Sequence, residues 1–285
     1  ATDRPDIAYS TKELARAMSS PTKGDWSKLK RMARYLSGKP RIVIWFRWQQ
    51  KVAALDVYTD ADWAGCKRTR KSTSGGCITH GAHVAKTWSK TQALVSLSSG
   101  ESELYATVKA TAEGLGMQSV LQDLGRKVGG RVWGDASAAL GIINRTGLGK
   151  LRHIDTNYLW VHDVQARRSL EFCKIHGPIN PADLMTKYLD WATIAKHCEA
   201  LGCQFMSGRA ETAPAQNNVM TQWVLSLFRD DDQMIYVKCD DSMSANMRKN
   251  EQSKDVYLYD VSISQKQQKI SKESPVTVLS LSLIH

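Results

Sequence analysis

The chain has 285 residues, enough for one large domain or two ordinary ones, and its 39 Lys and Arg against 28 Asp and Glu give a formal charge of +11. Such an excess favours a polyanionic partner, either nucleic acid or a membrane surface. No apolar run approaches the roughly 18 residues of a membrane helix, and no CxxC pair occurs, which argues against a membrane span, a zinc ribbon and a disulfide framework and favours a reducing, intracellular compartment.

Two helices are expected in the first forty residues. The first is predicted over residues 10–18, because Ser10 and Glu13 form the Ser-x-x-Glu pattern of a capping box. The second follows Pro21, with apolar residues at helical spacing, basic residues between them and a stop signal near residue 38. We assign residues 1–40 to a helical segment that precedes the main domain.

Strands and helices then alternate. Three sequential strands, antiparallel in the simplest interpretation, are predicted from "RIVIWFRW", "VAALDVYTD" and "GGCITHGAHVAKTWS". A long helix from about Ser98 to Gly125 follows them, and further elements are predicted from "RVWGD" (strand), residues 136–145 and 155–168 (helices), "LEFCKIHG" (strand) and "NPADLMTKYL" (helix). The order βββ-α-β-α-α-β-α predicts a mixed sheet with helices packed on it, in the α/β or α+β class.

The composition changes again beyond about Met206. The remaining sequence is polar and broken, with only short apolar runs such as "WVLSLF" and "VTVLSLSLI". We therefore predict one domain over residues 41–205 and a poorly structured C-terminal extension over residues 206–285.

A pair of aspartates ends the second predicted strand. A carboxylate at the end of a buried strand is costly unless a partner or a cation neutralises it, so Asp60 is a candidate metal ligand. An ordinary turn residue at the end of a strand is the alternative. Asp62 is the weaker candidate, since it shares a face with Asp60 only if the strand continues through Trp63.

Two glutamates follow near the start of the long helix. Ser98 and Glu101 form a capping box, which gives Glu101 a structural role. Glu103 has no such role, and its helical neighbours Ala106 and Ala110 are small enough to let that face lie close to a sheet. A solvated surface glutamate is the alternative interpretation of Glu103.

Two more acids stand next to strand ends and helix starts. Asp135 ends the strand "VWG" and begins the next helix, where helix capping and metal binding are both open. Asp183 lies in the first turn predicted for the last helix, after Pro181, where an acid is also favourable against the helix dipole.

The four acids together suggest more than any one of them. Asp60, Glu103, Asp135 and Asp183 can converge if the strand ends and helix starts that carry them lie at one edge of the same sheet. Carboxylates without His or Cys partners favour the hard ions Mg²⁺ or Mn²⁺. Two such ions, about 4 Å apart, are a common device for phosphodiester hydrolysis.

Five motifs carry a family resemblance. In chain order they are "YTDADWAG" with "RKSTSGG", "SLSSGESELYA", "VWGDASAAL", "RHIDTNYLWVHD" and "INPADLMTK". Together they resemble the ribonuclease H domain at the end of the reverse transcriptase of copia-type long-terminal-repeat retrotransposons. Residues 4–38 resemble the segment that joins polymerase to ribonuclease H, so the resemblance covers roughly residues 1–190, and we expect a fragment of a mobile-element Pol polyprotein.

The resemblance implies a ribonuclease H-like fold, a mixed five-stranded α/β sheet. It also implies that Asp60, Glu103, Asp135 and Asp183 hold two Mg²⁺ (or Mn²⁺) ions and that the RNA strand of RNA–DNA hybrids is cleaved. The upstream reverse transcriptase of the same polyprotein is then a further partner. Two alternatives stay open: a decayed domain that binds nucleic acid without cleaving it, and a related exonuclease or integrase that degrades DNA.

The resemblance also bears on two histidines and a basic loop. His176 lies shortly before the last acid, where related nucleases often keep a histidine that assists product release or proton transfer; a solvated loop histidine is the alternative. His153 matches a histidine of the copia-type pattern, without an assigned role. The basic loop after the first acid is either a phosphate-contacting patch or a solvated turn, and its residues are Lys67, Arg68, Arg70 and Lys71.

Overall fold

The computed structural model describes residues 4–145, 154, 156–208, 256–259 and 267–270. The chain divides into two units, one of residues 1–17 and 22–209 and the other of residues 18–21 and 210–285. Among the described residues, no helix combines the length and the apolar character that crossing a bilayer requires.

The first unit contains seven strands and six α-helices among its described residues. The strands are β1 (Arg41–Ile44), β2 (Ala54–Asp62), β3 (Thr73–His80), β4 (His83–Thr91), β5 (Gly129–Gly134), β6 (Glu171–Lys174) and β7 (Cys203–Met206). The α-helices are α1 (Ala8–Ala15), α2 (Lys23–Gly38), α3 (Ser99–Asp123), α4 (Ser137–Asn144), α5 (Trp160–Ala166) and α6 (Trp191–Ala200). Four short 3-10 helices span Pro5–Ile7, Thr156–Leu159, Gly177–Ile179 and Pro181–Met185.

Five of the strands form one mixed sheet with the order β4-β3-β2-β5-β6. β3 is antiparallel to both β2 and β4, whereas β5 is parallel to both β2 and β6. A parallel pair needs a crossover connection, and the chain passes from β2 to its parallel neighbour β5 through β3, β4 and α3. The predicted mixed five-stranded α/β sheet is confirmed, and it has the ribonuclease H-like arrangement that the resemblance implies.

The apolar core of this sheet lies between its strands and α3. Leu55, Val57 and Val132 are at most 1% exposed and belong to one buried cluster with Ala110 of α3. The small side chain of Ala110 lets the helix lie close to the strands, as the sequence predicted. Full burial of a Leu or Val side chain contributes about 1.5–3 kcal/mol, so the first half of β2 is a main source of stability.

Two of the three predicted strands differ from those observed. The run that begins at Arg41 gives only β1, which lies outside the main sheet and pairs antiparallel with β7. The run "GGCITHGAHVAKTWS" gives two strands, because Gly81 adopts a positive φ of 64° and turns the chain back on itself. The main sheet still has the predicted five strands, because this hairpin supplies two of them and β1 supplies none.

The N-terminal helices also differ in part from the prediction. α1 begins at Ala8, directly after the 3-10 helix, and has no side-chain cap, so Ser10 lies inside the helix rather than at its start. α2 begins where the sequence predicts, and Thr22 and Asp25 form its capping box. The assignment of residues 1–40 to a separate segment stays a prediction.

The later helices are shorter than predicted. The stretch expected over residues 155–168 is, within the described residues, a 3-10 turn followed by α5. The last predicted helix is the 3-10 helix Pro181–Met185, which Asn180 caps by accepting a hydrogen bond from the Ala182 N–H at 3.1 Å. α6 was not predicted from the sequence.

The second unit is described only in part. Two short strands, β8 (Val256–Tyr259) and β9 (Gln267–Ile270), pair antiparallel. Most of the predicted C-terminal extension lies outside the described residues, and its poor structure stays a prediction.

Candidate active site

Two neighbouring strands bring carboxylates to one edge of the sheet. β2 and β5 run parallel, with Tyr58 opposite Trp133, so their carboxyl ends lie side by side. Asp60 follows Tyr58 by two residues in β2 and is 1% exposed. Asp135 follows directly after β5 and is half-buried. It is not a helix cap, because the N-cap of α4 is Ala136 and no side chain caps that helix.

The N-terminal end of α3 lies at the same edge. Ser98 is the N-cap, and its hydroxyl accepts a hydrogen bond from the Glu101 N–H at 3.2 Å. The carboxylate of Glu101 accepts hydrogen bonds from the Leu97 N–H at 2.9 Å and from the Tyr105 hydroxyl at 2.6 Å. Glu101 therefore has the structural role that its capping position predicts.

Glu103 faces the sheet instead. Its Oε1 accepts a hydrogen bond from the Ala61 N–H at 3.3 Å, which fixes the carboxylate beside the end of β2, and the residue is only 7% exposed. The interpretation of Glu103 as a solvated surface residue is therefore wrong.

Three carboxylates from three separate elements converge. One oxygen each from Asp60, Glu103 and Asp135 lies within 4.8 Å of the others. Burial, and then the negative charges of Asp60 and Asp135, raise the pKa of Glu103 to about 9. The pKa of Asp135 is raised by burial and by Asp60. The cluster thus concentrates negative charge where water cannot screen it well, and a cation would relieve this repulsion.

Asp183 lies beside this group and not within it. It is half-buried in the 3-10 helix Pro181–Met185, and its pKa is raised by burial and by the charge of Asp60. The Nζ atom of Lys187 lies 3.2 Å from Asp60 Oδ1 and 2.8 Å from Asp183 Oδ1. The Lys187 ammonium therefore links Asp183 to Asp60.

Sequence reasoning missed two contacts of Asp60. Thr186 donates a hydrogen bond from its hydroxyl to Asp60 Oδ2, and Lys187 contacts the other carboxylate oxygen. The spacing offered one signal, since Lys187 stands four residues after Asp183, a separation at which opposite charges pair on a helical segment. Nothing local to Thr186 indicates its partner, which lies far away in the sequence.

A close approach of two backbones brings these elements together. Gly75 of β3 lies opposite Asp60 in the sheet. A Cβ atom at Gly75 would lie 2.5 Å from Thr186 Cγ2 and 2.7 Å from Met185 Cβ, well inside van der Waals contact. Glycine at this position lets the segment that carries Asp183, Thr186 and Lys187 pack directly on β3.

Asp62 has a different environment from Asp60. β2 ends at Asp62, which is half-buried, and the side chain folds over the following turn. The Asp62 carboxylate lies against Gly65, where an added Cβ would displace it. Burial and the charge of Asp60 raise the pKa of Asp62, yet it is not a member of the group of three.

The predicted histidine and the basic loop border the site. His176 is exposed and precedes Gly177, where an added Cβ would lie 3.1 Å from Asp135 Oδ2. In the loop between β2 and β3, Lys67, Arg68 and Arg70 are exposed and Lys71 is half-buried. His153 lies outside the described residues.

The loop itself is ordered by contacts within it and with α1. The Arg70 N–H donates to Cys66 O at 2.7 Å, and the Cys66 N–H donates to Lys71 O at 3.2 Å. The Arg16 side chain, next to the end of α1, donates to Cys66 Sγ. These hydrogen bonds fix the backbone of the loop, and Lys67, Arg68 and Arg70 stay exposed to solvent.

Comparisons with known proteins identify relatives. No protein-family model matches the chain. The retrovirus-related Pol polyprotein from transposon TNT 1-94 of Nicotiana tabacum is 33% identical over 186 residues, which cover 65% of this chain and 14% of that protein. The retrovirus-related Pol polyprotein from transposon RE2 of Arabidopsis thaliana is 28% identical over 202 residues, which cover 70% of this chain and 14% of that protein. Among solved structures, a ribonuclease H1 isolated from compost by a metagenomic approach aligns with a TM-score of 0.37 and 15% identity, covering 47% of this chain and 94% of that one.

The strand order and the acids at the ends of β2 and β5 define a ribonuclease H-like domain. Over 65–70% of its length the chain is similar to retrovirus-related Pol polyproteins of transposons, as its motifs predict. It spans 14% of the length of each of these two relatives.

Proposed function

We propose that the chain is a retrotransposon ribonuclease H that cleaves the RNA strand of RNA–DNA hybrids with the help of two divalent metal ions. The observation that carries this proposal is the convergence of Asp60, Glu103 and Asp135 within 4.8 Å at one edge of the sheet. Two of the three are buried, which is unfavourable for carboxylates that serve no charged partner.

The residues of the site fit Mg²⁺ or Mn²⁺. Every charged donor of the cluster is a carboxylate oxygen, and hard divalent ions prefer such donors. In the proposed function the ions would be held by Asp60, Glu103, Asp135 and Asp183. Such a pair supplies an activated water and stabilises the leaving 3′-oxygen of the phosphodiester.

The chain's own residues orient these donors before any ion binds. Thr186 fixes one oxygen of Asp60, and the Ala61 N–H fixes one oxygen of Glu103. In the proposed function His176, exposed and next to Gly177 beside Asp135, would assist product release or proton transfer. That role follows from its position in the family pattern and its exposure beside the cluster.

The basic loop provides the substrate contact in this proposal. Its exposed lysine and arginines follow directly after the end of β2, so a duplex bound over the acids would meet them with its phosphates. Selection of RNA in a hybrid would come from 2′-hydroxyl contacts and duplex shape. The polyprotein relatives support a polyprotein context, and in this proposal an upstream reverse transcriptase is the partner that presents the hybrid.

Cleavage by the full chain tests the proposal. The chain is incubated with Mg²⁺ and an end-labelled RNA–DNA hybrid, with duplex RNA and duplex DNA as reference substrates. Asp60→Asn removes a charge from the cluster, and Asp56→Asn is the matched control, because Asp56 lies on the same strand but pairs with Arg131 at 2.8 Å. We expect cleavage of the hybrid that Asp60→Asn abolishes and Asp56→Asn retains.

Other results would point elsewhere. Hybrid binding without cleavage would identify a decayed nucleic-acid-binding domain, and degradation of duplex DNA would identify a related nuclease. Cleavage that persists in Asp60→Asn would show that the site is assigned wrongly.

A further inference from the structure

We propose that Lys187 is a built-in cation of the acidic site, which neutralises Asp60 and Asp183 in the metal-free protein and must swing out before both can ligate a divalent ion. The inference rests on the proposed function and deepens it. Lys187 acts in it as a positioning residue, because it acts on the two acids and not on the substrate.

The distances show one ammonium shared by two acids. Nζ of Lys187 lies 2.8 Å from Asp183 Oδ1 and 3.2 Å from Asp60 Oδ1, so it contacts both carboxylates at once. The carboxyl groups of Glu103 and Asp135 lie close to Asp60 as well. A single lysine therefore stands at the junction of four acids.

The position of this ammonium matters for ion binding. Asp60 accepts from Thr186 through Oδ2 and from Lys187 through Oδ1, so each of its oxygens already has a partner from the chain. Asp183 Oδ1 is also taken by Lys187. A cation that uses Asp60 and Asp183 together therefore competes with the lysine for the same oxygens.

The exposure of the three side chains indicates which group moves. The Lys187 side chain is 40% exposed, whereas those of Asp60 and Asp183 are 2% and 16% exposed. A lysine on a flexible four-carbon stem can rotate into solvent without disturbing the fold. The acids are held by β2 and by the 3-10 helix, so they stay in place while the lysine leaves.

This arrangement has two opposite consequences. In the metal-free protein, Lys187 reduces repulsion among the acids and so stabilises the fold. During ion binding, its displacement weakens the apparent affinity. Neutralising Lys187 should therefore lower the stability of the metal-free protein and tighten the binding of Mg²⁺.

Calorimetry and thermal unfolding of the full chain test this directly. Lys187→Met keeps the length of the side chain and removes the charge, and Lys187→Gln is a second neutral variant. After EDTA treatment and removal of the chelator, we expect Mg²⁺ to bind about fivefold more tightly to either variant, the scale of a partly exposed ion pair. The metal-free midpoint of thermal unfolding should fall by about 2–4 °C, and saturating Mg²⁺ should remove that difference.

Two controls separate charge at the site from charge in general. Lys187→Arg keeps the charge and should bind Mg²⁺ as the wild type does. Lys109→Met removes a lysine from a pair with Glu113 on α3, at 2.9 Å, and should leave Mg²⁺ affinity unchanged.

The outcomes distinguish this inference from the proposed function. If the wild type binds Mg²⁺ and the neutral variants bind it equally or more weakly, Lys187 is not a competing cation. A fall in the midpoint that persists in saturating Mg²⁺ would make Lys187 merely structural and would also overturn the inference. A wild-type chain that binds neither Mg²⁺ nor Mn²⁺ would instead remove the proposed function, and the inference with it.

Discussion

The two halves of β2 have opposite characters. The first half carries Leu55 and Val57, which are almost fully buried among apolar side chains of neighbouring strands and α3. The second half carries Asp60, equally buried but surrounded by Glu103 and Asp135. One strand therefore contains a source of stability and a concentration of buried charge only a few residues apart.

The difference shows how stability and chemistry are divided within one element. Apolar burial in the first half favours folding, whereas like charges in the second half oppose it when no cation is bound. Substitutions in the first half should therefore lower stability with little effect on activity. Substitutions in the second half should lower activity without lowering stability.

The largest expected effect concerns the acid half. Glu103→Gln keeps the acceptor oxygen for the Ala61 N–H but removes the carboxyl group that could ionise and hold a cation. We expect hybrid cleavage to fall by at least about 100-fold, the scale seen when one electrostatic group of an active site is lost. In EDTA at pH 8, urea unfolding should show a stability higher by at least about 1 kcal/mol, because the wild type must keep a proton on Glu103 to stay folded and the amide need not. A stability loss would contradict the picture of repelling acids.

The apolar half should give the reverse result. Leu55→Ala removes a side chain that is 1% exposed and should lower the free energy of unfolding by about 3 kcal/mol. Urea denaturation measures the loss, and the folded fraction should still cleave hybrid at the wild-type rate. The control is Leu124→Ala, since Leu124 is 72% exposed and the same substitution there should change stability by less than about 0.5 kcal/mol.

The pH dependence of stability sharpens the contrast further. The pKa of Glu103 is raised from 4.5 to about 9, so between these values the folded protein holds a proton that the unfolded chain has released. Its contribution to stability is complete below pH 4.5 and is lost as the pH rises through 9, by at most about 1.4 kcal/mol per pH unit.

Unfolding midpoints in EDTA from pH 5 to 9 measure this loss. Asp135 and Asp183, whose pKa values are also raised, act in the same direction. Glu103→Gln should flatten the profile, whereas Leu55→Ala should shift it downward without changing its slope. Parallel profiles for the wild type and Glu103→Gln would count against the raised pKa.

The smallest expected effect lies outside both halves, in the basic loop. Replacing Arg68 and Arg70 with Gln should weaken hybrid binding and reduce the slope of log K against log[salt] by about 2, roughly 1 for each lost phosphate contact. Cleavage at low salt should persist. Arg126→Gln is the control, because Arg126 is exposed beyond the far end of α3, roughly 30 Å from the acids by helix rise. If the salt dependence of hybrid binding is unchanged in the loop variant, the loop does not contact phosphates and is only a solvated turn.

The strands that carry Asp60 and Asp135, and the acids themselves, could be predicted from the sequence because their signals are local. Asp60 and Asp135 each follow a run of apolar residues, and parallel neighbours bring such ends together. Glu103 was distinguished from Glu101 because only Glu101 had a capping partner in Ser98. In each case the chemistry of a few adjacent residues was sufficient.

What could not be predicted depends on contacts between distant segments. β1 pairs with β7, and nothing in "RIVI" indicates that its partner is Cys203–Met206, far along the chain. The 3-10 helix after Asn180 was expected to be an α-helix, since a pattern of apolar residues does not distinguish one short helical turn from another. The contacts of Thr186 and Lys187 with Asp60 likewise exist only in the folded chain.

The glycine opposite Asp60 carries a consequence for how such elements lose function. Gly75 bears no charge and contacts no substrate in the proposed function, yet a single methyl group there would collide with Met185 and Thr186. Gly75→Ala would therefore push Asp183 away from Asp60 while leaving every acid in the sequence intact. In the proposed function, a mobile-element copy with alanine at this position would lose activity although all four acids are present, so the integrity of a copy should be judged at this glycine as well as at the acids.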